Sequence, residues 1–517
     1  MKTFTFIHAA DLHLDSILPL AKFSLNDPDS DLEIDNKFNK LCKKYKKLSE
    51  DAVFIAFKNL IELCLVEKVD FLVLSGDLYH QADGSLKAYY ALKNAFVALN
   101  NAGIAVFIAH GNHDHLKINS SDLQENSEIK NILQWESNVK VFGNKLQRLE
   151  FCKDNECLAL LHGISHAKNA ETQNLGKDFN RQEPTLLKPD CFQIGVLHCT
   201  IGKSDEHERY APCNLSDLIG SRLDYWALGH IHKRQVLCEQ PAIHYPGSLQ
   251  GLHINETGQH GCLLVKVNEL GQSLVTFKAL APVQWELINI DFNKLQRNEQ
   301  PDEIKTQENT PENDYDLESA QNLTIQSLDE LEEYLLETCI NVATQTQSPL
   351  CQLIIFRIVL EGCCELDSVL KKSDAETELV NKLNQSLQKI IATKRNALSS
   401  QSEKVIDLII KDIHIKTKPV RDLNSLRSNS GFVGELLRYS DELLNQLEPS
   451  QAENNMEDKL ALHQTYIEQE TELKHIVDEL YLSKRNNKFL PPKPSHSSLQ
   501  ALIKEAEELC LEKLKIE

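Results

Sequence analysis

Phe71 to Ser75 and Ile104 to Ala109 are runs of strand length with almost no polar residue. A strand that is apolar throughout is buried on both faces, as strands of parallel sheets are, because crossover helices cover the two sides. The residues between and before them agree. Ser85 is a good N-cap for a helix running to about Asn101, with Gly103 as its stop. Thr3 to Ala9 reads as a first strand. Ala52, Ile55, Ala56, Leu60, Leu63 and Cys64 recur at helical spacing within 50–67. This β-α-β-α-β rhythm predicts a parallel sheet whose functional edge is the carboxyl end of its strands.

After a polar helical stretch around 121–135, strands dominate: Glu156–Ser165, Phe192–Cys199, Tyr225–Leu228, Ala242–Tyr245, Gly261–Val267 and Ser273–Leu280. An α/β start followed by a β-rich continuation predicts two packed sheets with helices outside. Trp285–Phe292 alternates as one more strand. A small α+β module follows: helix Leu328–Cys339, strand Gln352–Leu360, helix Ala375–Ile391, strand Val405–Ile415. From Gly431 onward the chain reads as helical and charged, interrupted at Pro491-Pro492-Lys493-Pro494. At 517 residues, two or three domains are expected.

Charge is unevenly spread. The net charge is −21, and from Asn298 to Glu337 there are 13 acidic residues and one basic residue. That segment's net charge of −12 is over half of the chain's net charge, and 298–326 reads as a disordered acidic insert. The total argues against a nonspecific, charge-driven DNA binder, but not against a polyanion substrate elsewhere on the chain. No run of about 18 apolar residues marks a membrane span. The N-terminus lacks the long apolar region of a leader, so a cytoplasmic protein is expected. The 14 cysteines, many in apolar runs, read as small hydrophobes and not as a disulfide framework. Histidine is skewed too: 15 of 19 precede Gly261.

Those histidines fall at strand ends. The second strand stops at Gly76-Asp77-Leu78-Tyr79-His80, the third at Gly111-Asn112-His113-Asp114-His115, and the first at Asp11-Leu12-His13. Two later strands end at His198 and at Gly229-His230-Ile231-His232. One histidine at a strand end is ordinarily a capped or core residue; five such motifs in order are a pattern. Leaving His80, Asp114 and His115 aside, they offer two carboxylates, one amide oxygen and four imidazoles besides His113. Mixed N/O ligands without thiolate suit Mn²⁺, Fe²⁺ or Zn²⁺. Seven ligands are too many for one ion and suit two that share a carboxylate. Ions roughly 3.5–4 Å apart can clamp a phosphoryl group and hold the attacking hydroxide between them. His8, His110, His162, His166, His244, His253 and His260 are expected to pack or hydrogen-bond. Lys37, Lys40, Lys44 and Lys47 form a basic helix face that is either solvated or tracks a DNA backbone. Lys233 and Arg234 are better placed for phosphate.

The ordered set resembles the calcineurin-like metallophosphoesterase superfamily. Gly-Asp-x-x-His with Gly-Asn-His-Asp is similar to its SbcD-type DNA double-strand-break nucleases, whereas the protein phosphatases carry Gly-Asp-x-x-Asp-Arg and Gly-Asn-His-Glu. Ala10-Asp11-Leu12-His13-Leu14-Asp15-Ser16, Tyr210-Ala211-Pro212-Cys213, Tyr225–Arg234 and Tyr245-Pro246-Gly247-Ser248 resemble the YhaO-like subgroup. The match spans roughly 4–283. It implies an α/β fold: a two-sheet αββα sandwich over 1–283 and a small capping domain, which the α+β module over 284–415 fits, while 416–517 reads from its residues as a helical C-terminal region. It implies that Asp11, His13 and His232 hold one metal, Asn112, His198 and His230 the other, and Asp77 bridges them. His113 would assist the leaving oxygen, Asp114 would orient His113, and His80 would be a supporting or substrate-facing residue.

The resulting expectation is a manganese-dependent DNA exonuclease or endonuclease in repair, with DNA as substrate, a homodimer, and an SbcC-like ATPase partner. Two rivals remain open. One is a phosphodiesterase acting on a small nucleotide. The other is a non-catalytic DNA-end scaffold for the ATPase, which would not need to keep all seven ligands.

Overall fold

The computed structural model describes residues 2–19, 35–80, 85–116, 135–180, 191–202, 210–296, 325–346, 348–397, 405–447 and 496–514. Nearly all of the anticipated helical stretch at 121–135 and of the acidic insert lies outside these residues. They form two compact units, Met1–Lys418 and Pro419–Glu517.

The first unit begins with β1 (Phe4–Ala9), α1 (Asp35–Glu67), β2 (Phe71–Ser75), α2 (Leu86–Asn101), β3 (Ala105–Ala109) and β4 (Val139–Val141). Strands β1 to β4 pair in parallel. The Ser85 side chain caps α2 through the Ala88 amide, as its position predicts. There follow β5 (Gln147–Lys153), β6 (Glu156–Ile164), α3 (Gly176–Asn180), β7 (Phe192–His198), α4 (Leu215–Ile219), β8 (Tyr225–Gly229), β9 (Gln235–Cys238) and β10 (Ala242–Tyr245). Two more strands, β11 (Gly261–Val267) and β12 (Ser273–Ala279), return to the first sheet. That sheet runs β12-β11-β1-β2-β3-β4, and the second runs β5-β6-β7-β8-β10-β9.

Alternation along the strands explains the layering. Phe4, Phe6, Phe71, Val73, Phe107 and Ala109 share one core with Phe192, Ile194, Val196 and Tyr225 of the second sheet. Phe6 and Phe71 stack there with ring centroids 4.9 Å apart. The intervening residues Ile7, Ala9, Leu72, Leu74, Val106 and Ile108 face α1 and α2 through Phe57, Leu60, Leu92 and Phe96. The second sheet's outer face packs Leu197, Trp226 and Leu228 on Phe179 and Leu218 of α3 and α4. Each sheet is buried twice, which is why its strands are apolar throughout. The architecture is the anticipated helix–sheet–sheet–helix sandwich.

β13 (Val283–Asp291), α5 (Phe292–Gln296), α6 (Leu328–Gln345), β14 (Leu353–Cys364), α7 (Asp367–Leu370), α8 (Ala375–Ala397) and β15 (Asp407–Pro419) form the small α+β layer. Its sheet order is β13-β14-β15. Helix α1 starts at Asp35, well before the expected position 50, and its turns around Tyr45 and Leu48 pack on this layer. Tyr45, Leu48 and Ala52 share a core with Trp285, Ile355 and Ile409. Lys44 pairs with the buried Asp407 carboxylate, which Arg395 also contacts. Lys44 is thus an internal ion-pair partner and not part of a free basic face; the side chains of Lys37 and Lys40 lie outside the described residues.

The second unit contains α9 (Leu423–Ser428), α10 (Phe432–Leu447) and α11 (His496–Lys513). Arg427 binds Asp441 through two bonds of 2.6 and 2.9 Å, and Leu437 and Leu511 are buried. Among the described residues, no helix is long and apolar enough to cross a membrane.

Candidate metal centre

All five motifs arrive at the carboxyl ends of parallel strands, Asp11 and His13 after β1, Asp77 after β2, Asn112 to Asp114 after β3, His198 on β7, and His230 and His232 after β8. Strand parity aims them. His198 continues the inward set of Phe192, Ile194 and Val196, so its ring enters the space between the sheets. There its Nδ1 lies 2.8 Å from the Ser75 carbonyl and its Nε2 lies 3.1 Å from Asn112 Oδ1 and 3.2 Å from Asp77 Oδ2.

The backbone bends sharply to present these groups. Asp11, His13, Asp77 and His230 have φ of 52°, 42°, 54° and 104°, the left-handed region that side chains with a Cβ adopt at a cost and that concentrates at functional sites. Gly76 (φ 97°) and Gly111 answer a second need. A Cβ on Gly76 would lie 2.4 Å from His198 Nδ1, and one on Gly111 would lie 2.3 Å from Asp77 Oδ1. The glycines of Gly-Asp and Gly-Asn are where main chain closes around the His198 ring.

The seven residues assigned to metal lie in one cluster. Ligand atoms of Asp11, His13 and His232 fall within 4.8 Å of one another, as do those of Asp77, His198 and His230. His13 Nε2 and His232 Nε2 are 3.0 Å apart, and the His230 amide donates to Asp11. The outer partners set the tautomers. His232 Nδ1 faces Glu256 at 2.8 Å and His198 Nδ1 faces the Ser75 carbonyl, so on losing a proton to a metal both rings would keep the Nδ1 hydrogen and turn the Nε2 lone pair toward the cluster. Inward lone pairs, carboxylates and an amide oxygen, with no thiolate, fit divalent ions of the manganese-to-zinc range.

Electrostatics follow from burial and these pairs. Burial disfavours charge on His198, but the Asp77 carboxylate more than offsets it and lifts the imidazole to about 9. His232 rises to about 9 against the same burial penalty because Glu256 and Asp11 flank it. Burial raises the Asp11 carboxyl to about 6. Burial pushes His13 well below the usual imidazole range.

His113 carries no ligand role in this arrangement. Its amide donates to Asp77 Oδ1 at 2.9 Å, and its half-buried ring lies 4.3 Å from that of His80 and 5.2 Å from that of His13, measured between centroids. Burial lowers its proton affinity. His80 Nε2 approaches His13 Nδ1 at 3.1 Å. Asp114 differs from expectation. Its buried carboxylate accepts from the amides of Gly111, Asp77 and Leu78 and bonds His110 Nδ1 at 3.0 Å. It therefore fastens the β2 and β3 turns together and orients His110, with no hydrogen bond to the His113 ring.

Lys233 and Arg234 lie on the exposed side of the second turn, and Arg234 stacks over the Phe277 ring at 4.3 Å. Of the remaining histidines, His8 bonds Tyr225 and Leu228 between the sheets, His162 bonds Gln193, and His166 bonds the His198 carbonyl. His260 bonds Ser248, His244 stacks on Tyr225, and His253 lies 3.3 Å from Glu256. Glu256 is the functional residue that sequence reasoning missed. Besides His232 it binds the Leu252 amide and Ser248. The only available signal was general: a metal-binding histidine needs an outer acceptor.

Residues 4–234 match the calcineurin-like phosphoesterase family. The chain is 36% identical over 293 residues to YhaO of Bacillus subtilis, described as an uncharacterized metallophosphoesterase, covering 56% of this chain and 64% of that protein. It is 26% identical over 191 residues to the DNA double-strand break repair protein Mre11 of Sulfurisphaera tokodaii, covering 36% and 44%. The Archaeoglobus fulgidus Mre11 is also 26% identical, over 212 residues covering 40% and 46%. The chain thus spans less than two thirds of the length of each of these relatives. The sandwich, the convergent N/O ligand cluster and the family match agree: residues 4–234 are a calcineurin-like metallophosphoesterase domain.

Proposed function

We propose that the phosphoester hydrolysed is a DNA phosphodiester, and that the chain is a manganese-dependent nuclease, most simply an exonuclease, acting in DNA repair. The observation that carries this reading is His80 beside His113 over the seven-ligand cluster. Asp77 and Asn112 are fixed below by Gly111 and His198, so the His113–His80 pair is the side from which a phosphate approaches. The similarity to Mre11 proteins supports nucleic acid as the substrate class.

When bound, two divalent ions supply Lewis acidity toward the phosphodiester and its attacking water. The chain's own residues do the rest. Asp11, His13 and His232 would hold one ion and Asn112, His198 and His230 the other, with the Asp77 carboxylate available to both. His113 is kept neutral by burial until an anionic phosphate raises its proton affinity. It then donates to the departing oxygen, a general-acid role. The His80 ring packs on His113 and limits its rotation. An SbcC-like ATPase partner and a homodimer belong to the same reading.

One observation favours the small-nucleotide alternative. Of the basic residues considered for DNA contact, Lys44 of the helix face pairs with Asp407, and Arg234, considered for phosphate, stacks on Phe277. End-labelled linear duplex DNA, a closed circle and a cyclic dinucleotide, each with Mn²⁺, separate the readings. Cleavage of linear duplex alone supports an exonuclease; turnover of the dinucleotide alone overturns the DNA reading. Asp77→Ala should lose at least about a thousandfold in kcat/KM, about 4 kcal/mol of transition-state stabilisation. His113→Ala should lose about a hundredfold while keeping both ions by elemental analysis.

A further inference from the structure

The β5–β6 hairpin carries a second set of ligand-type side chains. Its turn residues Asp154 and Asn155 have φ of 51° and 64°, the two-residue geometry whose twist matches paired strands. Lys153 and Glu156 close the hairpin, and Cys152 stands directly opposite Cys157. After a two-residue turn the closing pair exchanges both backbone hydrogen bonds. The next pair is then of the non-hydrogen-bonded kind, in which side chains are closest. The register shifts between Phe151 and Cys152, which places an extra residue, Leu158, on β6. Leu149 and Phe151 face the inter-sheet core, so Glu150 and Cys152 share the opposite, outer face.

The Glu150 carboxylate and the Cys152 and Cys157 sulfurs all lie within 4.8 Å of one another, and Cys152 Sγ is 3.9 Å from Glu150 Oε2. A tetrahedral zinc site with Zn–S near 2.3 Å needs donor atoms about 3.8 Å apart. Small side-chain rotations meet that requirement. Glu150 and Cys152 are exposed and Cys157 is partly so, giving an ion direct entry. The cluster sits at the amino end of β6, whereas the centre described above sits at the carboxyl ends of the strands. They are separate sites at opposite ends of the sandwich.

The geometry points to a thiolate metal site at this hairpin, taking one zinc-class ion through Cys152, Cys157 and Glu150, with water in the fourth position. Binding converts two thiols to thiolates and releases two protons to solvent, with no change of oxidation state. Ligand softness keeps the two sites apart in metal choice. Thiolates select zinc-class ions, and the imidazole–carboxylate cluster accepts manganese. The bound ion would tie edge strand β5 to β6.

The test is Co²⁺ titration of the full-length protein under reductant, reading the near-ultraviolet thiolate-to-cobalt charge-transfer band. The histidine–carboxylate centre has no thiolate and contributes none. Wild type should show a band whose amplitude corresponds to one thiolate-bound cobalt per chain, beyond the cobalt that the histidine–carboxylate centre takes up. The double variant Cys152→Ser, Cys157→Ser should lose it, and Glu150→Gln should keep it with weaker affinity. Mn²⁺-dependent phosphodiester hydrolysis should be unchanged in both variants. No band in wild type, an equal band in the double variant, or a Cys152–Cys157 disulfide persisting under reductant would overturn the assignment.

Discussion

Of Asp11, His13 and His232 only the last meets water: its side chain keeps 21% of its exposure, while Asp11 and His13 are as buried as His198 in the companion trio. Their supports differ in kind. His232 is held by a carboxylate, Glu256, on the loop after β10. His198 is held by main chain, through the Ser75 carbonyl on one side and Gly76 and Gly111 against its ring. A side-chain support is ionisable and can be adjusted, whereas a main-chain support is part of the fold. The Asn112–His198–His230 half should therefore bind its ion more tightly, and the Asp11–His13–His232 half should exchange its ion more readily.

The largest expected break in that comparison is between His198→Ala and His232→Ala. The first empties a fully buried site and should cost about 3 kcal/mol of stability in addition to an ion, as buried truncations do. The second should lose an ion but change stability by less than about 1 kcal/mol. Denaturant unfolding of the metal-free variants measures both, and equal destabilisation would remove the distinction.

Glu256→Gln is the finer cut. Loss of an outer partner typically weakens metal affinity about 10- to 100-fold. The loss should appear in one of two binding steps by calorimetry, with the other unchanged. Weakening of both steps would mean the halves are not independently supported.

The smallest effect is in pH. His198 and His232 have raised proton affinities, to about 9, against 6.5 when unfolded. Their contribution to metal-free stability is fully present below pH 6.5 and is lost as pH rises through about 9. His8 has the opposite sign. Burial lowers it to about 3, so its contribution is present above pH 6.5 and is lost as pH falls toward 3. Metal uptake should release protons between pH 6.5 and 9, measurable as a dependence of binding heat on buffer ionisation enthalpy. In Glu256→Gln the release should shrink.

Most of the sandwich was legible because its central strands are buried on both faces and read as uninterrupted apolar runs. Strands β4, β5 and β9 were not, since they lie at sheet edges where half their residues face water. The first half of α1 escaped for another reason. Tyr45 and Leu48 are too sparse to mark a helix, and only the α+β layer gives them something to bury against. At the site, each ligand follows an apolar strand, so position in sequence predicts position in space. Asp114 shows the limit of adjacency. It neighbours His113 in the chain, but the turn aims its carboxylate at the amides behind it. Glu256 shows the complementary limit, since its 24-residue distance from His232 closes only in three dimensions.

The left-handed backbone at Asp11, His13, Asp77 and His230 restricts how this centre can evolve or be redesigned. At those four positions the residue must tolerate positive φ before its chemistry matters. Asparagine, aspartate, histidine and glycine do so, while valine, isoleucine and threonine are penalised whatever they might coordinate. The ligand vocabulary at the strand ends is thus short for conformational reasons, and a change of metal preference is easier to reach through His198, His232 or their outer partners than through these four.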